Sequence, residues 1–329
     1  MRTIKALVYD SKSYTQEAFE NTEHDGIEFT YVDTKLNKHT VKLAKDYDTI
    51  VTFVNDDLGE EVIEKLIDQG KKAVFLRCSG YNNVDLKKAK GKIDFYRVPN
   101  YSPYAIGEFT FALLLTSMRR THKAYNRTRE FNFSLEGFVG IDLQGKTIGV
   151  IGTGRIGRVV IDIANGFKMN VLAYDPYQKE KNGPIKYVSL NELIKKSDII
   201  TLHCPLTKKT EHMIDKKAID KMKKGVVIIN TSRGGLIDSK ALLKGIESRK
   251  VSSACLDVYE EEADIFYEDR SNHILNDETL RDLISMPNVI VTSHQAFLTK
   301  EALSNIAMTT ISNIRRYFSG DPDEDNHTM

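Results

Sequence analysis

Three kinds of chemistry-bearing residue recur at similar intervals in the last third of the chain. Arg233 follows the apolar run VVIINTS, the glutamates Glu260, Glu261 and Glu262 close the run LDVYEEE, and His294 follows VIVTS. Each run reads as a strand, so each group stands at or just past the C-terminal end of a strand, where open α/β sheets place their ligands. Reduction of a carbonyl by hydride leaves an alkoxide that needs a proton, and a histidine titrates in the right range to deliver it. A carboxylate on the other imidazole nitrogen would fix the tautomer and favour the protonated ring. An arginine fork would bind a substrate carboxylate and polarise the neighbouring carbonyl. The substrate so defined is a 2-oxo acid in one direction and a 2-hydroxy acid in the other. Spacing alone leaves open which of the three glutamates is the partner. Taken singly, each residue has a plainer reading: a surface arginine, a hydrogen-bonded strand-end histidine, a solvated acidic loop.

The hydride donor is what turns these three into a site, and the stretch Lys146–Tyr177 points to it. Ile148, Val150 and Ile151 form a short apolar run with no helical period, and Gly152, Gly154 and Gly157 follow in the spacing G-x-G-x-x-G. Apolar positions from Ile156 onward recur at helical spacing, and a second strand ends in Asp175, 18 residues after the third glycine. The glycines allow a tight turn, backbone approach to a pyrophosphate and close helix–strand packing, with the phosphates on the free N–H groups of the helix N-terminus. Asp175 would take the ribose hydroxyls and repel a 2′-phosphate, and Pro176 and Tyr177 offer no arginine to receive one. NAD is therefore the expected cofactor, while Arg155, Arg158 and Lys179 leave residual NADP use open.

The elements that must position these groups alternate along the chain in the manner of parallel sheets with crossover helices. Strands are expected at Lys5–Asp10, Ile27–Val32, Thr49–Val54, Ala73–Arg77 and Ile93–Val98, with a helix at Asp57–Gln69 among them. Ser102 and Pro103 then read as N-cap and first turn of a long helix. A second series follows at Thr147–Ile151, Val171–Tyr174, Ile199–His203, Val226–Asn230, Ala254–Val258 and Val289–Thr292, six strands as a dinucleotide-binding sheet requires. A last helix, Lys300 to Phe318, is expected to pack back on the first domain, and the polar tail Asp321–Met329 to be disordered. The expected fold is α/β with two doubly wound parallel-sheet domains: a Rossmann domain over 101–298, inserted in a smaller flavodoxin-like substrate domain over 1–100 and 299–329.

The composition excludes several alternatives. The net charge of the 329 residues is +1, with no basic face for nucleic acid. The longest apolar run, Phe109 to Met118, is too short to span a bilayer and is interrupted by threonine and serine. Cys78, Cys204 and Cys255 have no metal spacing, so no metal is expected, and their odd number fits a reducing, cytoplasmic compartment without a disulfide framework. His203 ends a strand beside the expected cofactor cleft, where a dinucleotide contact and a structural role are equally open. Cys204, with no arranged base, reads as a small inert hydrophobe. His24, His39, His122, His212, His273 and His327 show no partner pattern.

With these residues in place the chain resembles the NAD-dependent D-2-hydroxyacid dehydrogenases, and within them the fermentative D-lactate branch. The resemblance is carried by RCSGYNNVDL (77–86), VPNYSP (98–103), NFSLEG (132–137), GVIGTGRIG (149–157), DPY (175–177), LHCPLT (202–207), NTSRGGLID (230–238), LDVYEEEADIFYED (256–269) and SHQAFLT (293–299). It implies reduction of pyruvate to D-lactate with NADH, reversibly, with Arg233, Glu262 and His294 as the catalytic set, and so selects Glu262 from the acidic run. It further implies that the backbone at Ser79 and Gly80 holds the substrate carboxylate and that Tyr101 and Phe297 shape the pocket. Gly152, Thr153, Gly154, Arg155, Ile156, Gly157, Asp175, His203, Cys204, Pro205, Thr231, Ser232 and Asp257 are implied to line the cofactor site, Asp257 also supporting the catalytic residues. A homo-oligomer contacting through the nucleotide-binding domain near Asn132–Gly137 is implied as well. Glu108–Phe109 departs from the E-H that relatives often have in the long helix, a helix contact rather than a catalytic position. Two other readings stay open on these residues: a dehydrogenase for a bulkier 2-oxo acid, and an NAD(H)-sensing co-repressor-like binding protein.

Overall fold

The computed structural model describes residues 2–177, 185–263 and 265–328. The chain forms two compact units, one of Met1–Ser102 with Leu298–Met329 and one of Pro103–Phe297.

The first unit is built on five parallel strands, β1 (Ile4–Val8), β2 (Ile27–Tyr31), β3 (Thr49–Thr52), β4 (Ala73–Leu76) and β5 (Asp94–Tyr96). Their order is β2-β1-β3-β4-β5, the flavodoxin-like arrangement. β3 and β4 are buried along their whole length, and accordingly read as unbroken apolar or small runs rather than alternating ones. The final helix, Lys300–Ser319, lays Ala307, Ile311 and Ile314 on the core made by Ala6, Val8, Val51 and Phe75. It ends at Gly320, whose φ of 81° is the left-handed value that closes a helix.

Two expectations need correction in this unit. Residues 321–328 of the tail are ordered: Arg97 N–H donates to Asn326 O (2.9 Å), Thr328 N–H donates to Phe95 O (3.0 Å), and His327 pairs with Tyr96 in an antiparallel bridge. β5 is an edge strand, and its unpaired backbone groups give the polar tail a partner that hydropathy cannot reveal. The helix expected from Asp57 begins at Glu60 instead. Asp56 accepts from Leu36 N and Phe53 N (2.6 Å each) and Asp57 from Gly59 N (2.8 Å), so both carboxylates bind backbone in a turn that competes with the helix.

Among its described residues the second unit contains six parallel strands, β6 (Thr147–Ile151), β7 (Asn170–Tyr174), β8 (Ile199–Leu202), β9 (Val226–Asn230), β10 (Val251–Leu256) and β11 (Val289–Val291), in the order β11-β10-β9-β8-β6-β7. Tyr187 adds a single parallel bridge to Ala173 on the outer side of β7. The order is thus that of a Rossmann sheet, with Tyr187 marking the place of its third strand among the described residues. β9 shows why the central strands are apolar throughout. Val226 and Ile228 enter the core on one face, while Val227 and Ile229 enter the core on the other with Phe111, Leu114 and Val160. Each such side chain contributes roughly 1.5–3 kcal/mol by leaving water. Phe109, the departure noted in the long helix Pro103–Arg119, packs against that second core. Among the described residues no helix is long and apolar enough to cross a membrane.

Candidate active site

The glycine turn between β6 and the helix Arg155–Gly166 separates its three glycines by function. A Cβ on Gly152 (φ 93°) would lie 2.5 Å from His203 O, and one on Gly157 would lie 2.0 Å from Gly152 O, so neither position admits a side chain. A Cβ on Gly154 would meet nothing within 4 Å. Gly154 is also the helix N-cap, with no side chain capping the first N–H groups. Those N–H groups and the open face at Gly154 are what a pyrophosphate needs. At the end of β7, Asp175 accepts from Thr153 N (2.8 Å) and Thr153 Oγ1 (3.1 Å) through Oδ2 and from Tyr177 N (2.8 Å) through Oδ1. The carboxylate thereby ties the glycine turn to the strand end where ribose recognition is expected. An open pocket lined by Tyr174, Asp175, Pro176, Tyr187, Val188 and Glu192 adjoins it. The residues present fit a dinucleotide. Lys179 lies outside the described residues.

His203 borders this turn. Its Nε2 is 2.8 Å from Thr201 Oγ1, its buried Nδ1 has no partner among the described residues, and burial pushes its pKa down to about 3, so the ring is neutral. Burial pushes the Cys204 thiol up to about 11, which leaves it unreactive near neutrality. Cys204 O accepts from Ser232 Oγ (2.8 Å), and Thr231 Oγ1 lies 2.9 Å from Thr110 Oγ1. The first contact draws the segments after β8 and β9 together, and the second ties the end of β9 to the long helix Pro103–Arg119. Pro205 sits exposed beside them.

Arg233, Glu262 and His294 leave the C-terminal ends of three neighbouring strands, β9, β10 and β11. Asn230 shapes the arginine loop, its Nδ2 donating to Arg233 O (2.8 Å) and its Oδ1 accepting from Ser232 N (3.0 Å). A Cβ on Gly234 would fall 2.1 Å from the Tyr259 carbonyl, so the arginine loop rests directly on the backbone that leads to Glu262. Glu262 Oε2 accepts from Tyr259 N (2.8 Å), and its Oε1 is 2.7 Å from His294 Nδ1. Both side chains of that pair are about one-fifth exposed.

Asp257 holds the histidine segment. Its Oδ1 accepts from Thr292 Oγ1 (2.6 Å) and Gln295 N (2.9 Å), its Oδ2 from Ala296 N (2.8 Å), and its own carbonyl from His294 N (2.7 Å). Burial pushes this carboxyl above the usual aspartate range, while the three donors favour the ionised form. So gripped, His294 adopts a left-handed φ of 53°, uncommon outside glycine and sustained only where the surroundings dictate it. Tyr267 completes the seat: its hydroxyl donates to His294 O (3.0 Å) and its ring stacks near the imidazole with centroids 6.1 Å apart. Phe297 is buried at the end of this segment.

Ser79, Gly80 and Tyr101 belong to the first unit. Arg97 Nη1 donates to Ser79 O (3.1 Å), Cys78 Sγ lies 3.2 Å from Gly80 O, and Asn305 Nδ2 donates to Tyr101 O (2.5 Å). The loop after β4 is therefore anchored through backbone carbonyls. Asn230, Tyr267 and a second pair, His212 with Glu260, were not singled out by sequence reasoning. Asn230 stands in the NTSR run as a visible polar strand end, but His212 and its partner are 48 residues apart and carry no shared pattern.

A Rossmann sheet with this turn, and three ionisable groups at its strand ends, is the architecture of a dinucleotide-dependent oxidoreductase. The profile of the D-isomer specific 2-hydroxyacid dehydrogenase NAD-binding domain matches residues 111–296. A 2-hydroxyacid dehydrogenase homolog of Haemophilus influenzae is 48% identical over 96% of this chain and 97% of its own. The D-lactate dehydrogenase of Escherichia coli is 44% identical over 97% and 98%. Among solved structures, the pyruvate reductase of Chlamydomonas reinhardtii superposes with a TM-score of 0.91 at 41% identity, covering 97% of this chain and 98% of that one. The chain belongs to the D-isomer specific 2-hydroxyacid dehydrogenase family: it is an NAD-dependent dehydrogenase.

Proposed function

We propose that the protein interconverts pyruvate and D-lactate, with His294 as the proton donor and acceptor, Glu262 as its orienting partner and Arg233 as the binder of the substrate carboxylate. The observation that carries this reading is the 2.7 Å contact between His294 Nδ1 and Glu262 Oε1 on the two strand ends next in line to that of Arg233. NAD, when bound, supplies or accepts the hydride. An ionised Glu262 accepts only, so Nδ1 carries its hydrogen and Nε2 is the nitrogen left to exchange a proton with the substrate oxygen. Arg233 meets a carboxylate with two parallel N–H donors and draws charge from the adjacent carbonyl. Gly152 and Gly157 keep the turn compact, Gly154 leaves the pyrophosphate its approach, and Asp175 takes the ribose and disfavours a 2′-phosphate. Ser79, Gly80 and Tyr101 are assigned to the substrate by the family resemblance. Pyruvate is favoured over larger 2-oxo acids by the names of two of the relatives above and by the phenylalanine at 297.

The deciding experiment is NADH oxidation with pyruvate, 2-oxoisocaproate and phenylpyruvate, with chiral analysis of the product. Fast turnover of pyruvate to D-lactate supports the proposal. Higher kcat/KM for a larger acid keeps the mechanism and moves the substrate, and no turnover of any 2-oxo acid despite NADH binding overturns it.

We also propose a homo-oligomer in the cytoplasm. Phe131, Phe133, Leu135 and Val139 are each at least 70% exposed within nine residues, an apolar patch of the kind that a protein surface contributes to an interface. The odd number of cysteines, with no disulfide framework in their spacing, supports a reducing compartment. Sedimentation of the double variant Phe131→Ser/Leu135→Ser should show dissociation relative to the wild type.

A further inference from the structure

The acidic run holds a second histidine. Glu260 Oε1 bonds His212 Nε2, and Glu260 Oε2 accepts from Ser239 N (3.2 Å) at the start of the helix Ser239–Glu247. His212 N–H donates to Gly235 O (2.8 Å), and Ile214 forms a parallel bridge with Ile237. Glu260 and His212 thus join three segments: the one after β8, the one that leads from Arg233 through Gly234 into the helix, and the one that leads from Tyr259 to Glu262. Gly234 presses on the Tyr259–Glu260 peptide with no room for even a methyl group, so movement of Glu260 displaces both neighbours. We propose that the His212–Glu260 pair is a charge-dependent latch that sets Arg233 against Glu262, and so tunes binding of the 2-oxo acid. This rests on the roles proposed above for those two residues.

The charges around His212 make the latch conditional. Glu260 bonds the ring, and the negative charges of Asp238 and Glu211 act on it as well. The bond to Glu260, more than any other factor, holds the imidazole above its ordinary pKa. A raised histidine pKa means the contribution is complete at acid pH and is lost as pH rises through the raised value. Once His212 is neutral, its charge no longer offsets the repulsion among these carboxylates, and the hold of Glu260 on His212 and on Ser239 N weakens. The backbone of His212 is committed to this place, with a left-handed φ of 48°.

The test measures the dissociation constant of pyruvate, in the presence of NADH, between pH 6 and 9 in a His294→Gln background, where the His294 titration is absent. Weakening of roughly 3- to 5-fold across this range is expected, the size appropriate to a part-exposed ion pair. Adding His212→Lys, which keeps the charge, should abolish that pH dependence while retaining tight binding. Adding His212→Gln or Glu260→Gln should give the weaker constant at every pH. A dissociation constant that is pH-independent in the His294→Gln background, or that keeps its pH dependence when His212→Lys is added, overturns the latch. Wild-type protein that binds no 2-oxo acid at all overturns instead the proposed function.

Discussion

Two histidine–glutamate pairs draw their carboxylates from one run of three residues, and the difference between them shows what makes such a pair part of an active site. Both histidines hold a left-handed backbone, φ 53° at His294 and 48° at His212. Both bond a glutamate through a ring nitrogen. They part in what surrounds them. His294 hangs from the end of β11, with Asp257 gripping its segment at three points and the arginine strand two places away in the sheet. His212 sits in a loop with 42% of its side chain exposed, against 19% for His294, and its neighbours are carboxylates rather than an arginine. The pairing chemistry is shared. What sets the two apart is location at a sheet's C-terminal edge and rigidity imposed by a buried acid.

The comparison breaks most visibly at the histidines. His294→Gln should lower kcat by about 10²–10⁴, the usual worth of a general acid, with NADH affinity nearly unchanged, whereas His212→Gln should stay within about tenfold of wild type. Steady-state kinetics and NADH fluorescence titration read both, and equal losses at the two positions would erase the distinction. Arg233→Lys keeps the charge and loses the fork, so kcat/KM for pyruvate should fall about 10- to 100-fold, mostly through KM.

Asp257→Asn sharpens the rigidity argument. An amide turns one of its two ends into a donor, leaving at least one of Thr292 Oγ1, Gln295 N and Ala296 N without an acceptor, at a cost of about 1–3 kcal/mol. Thermal unfolding should register that loss, and kcat should drop with it because His294 is no longer held; a fall in Tm with intact kcat would separate stability from positioning. The smallest structural effect is expected away from both pairs, at Gly154→Ala. The new methyl meets no atom, so Tm should change by no more than the equivalent of about 0.5 kcal/mol. NADH affinity should nonetheless weaken, and an unaltered dissociation constant would argue against pyrophosphate approach at that glycine.

Much of this was legible in the chain. The run from Ile148 to Asp175 announces its own turn because the requirements are local: a glycine where φ is positive, a glycine where a helix meets a carbonyl, an acid at a strand end. Arg233, Glu262 and His294 were recognisable as strand-end groups because short β-branched runs precede them. Choosing Glu262 from the acidic run needed family resemblance, since three adjacent carboxylates are equivalent until a backbone direction is imposed.

Other features only the tertiary structure decided. The tail after Gly320 was expected to be disordered because its polarity reports solvent exposure, yet it pairs with an edge strand whose unpaired groups are fixed by the order of the sheet. His212 showed no partner because Glu260 reaches it across 48 residues, brought there when β8 and β10 take places on either side of β9. The family resemblance implied a supporting role for Asp257, but its three-point grip on residues 292–296 exists only because β11 lies next to β10. Local conformational demands and hydrophobic periodicity are written in neighbouring residues, and the sequence determined those by itself. Which distant groups meet depends on the order in which strands pair, a property of the packed sheet rather than of any segment in it.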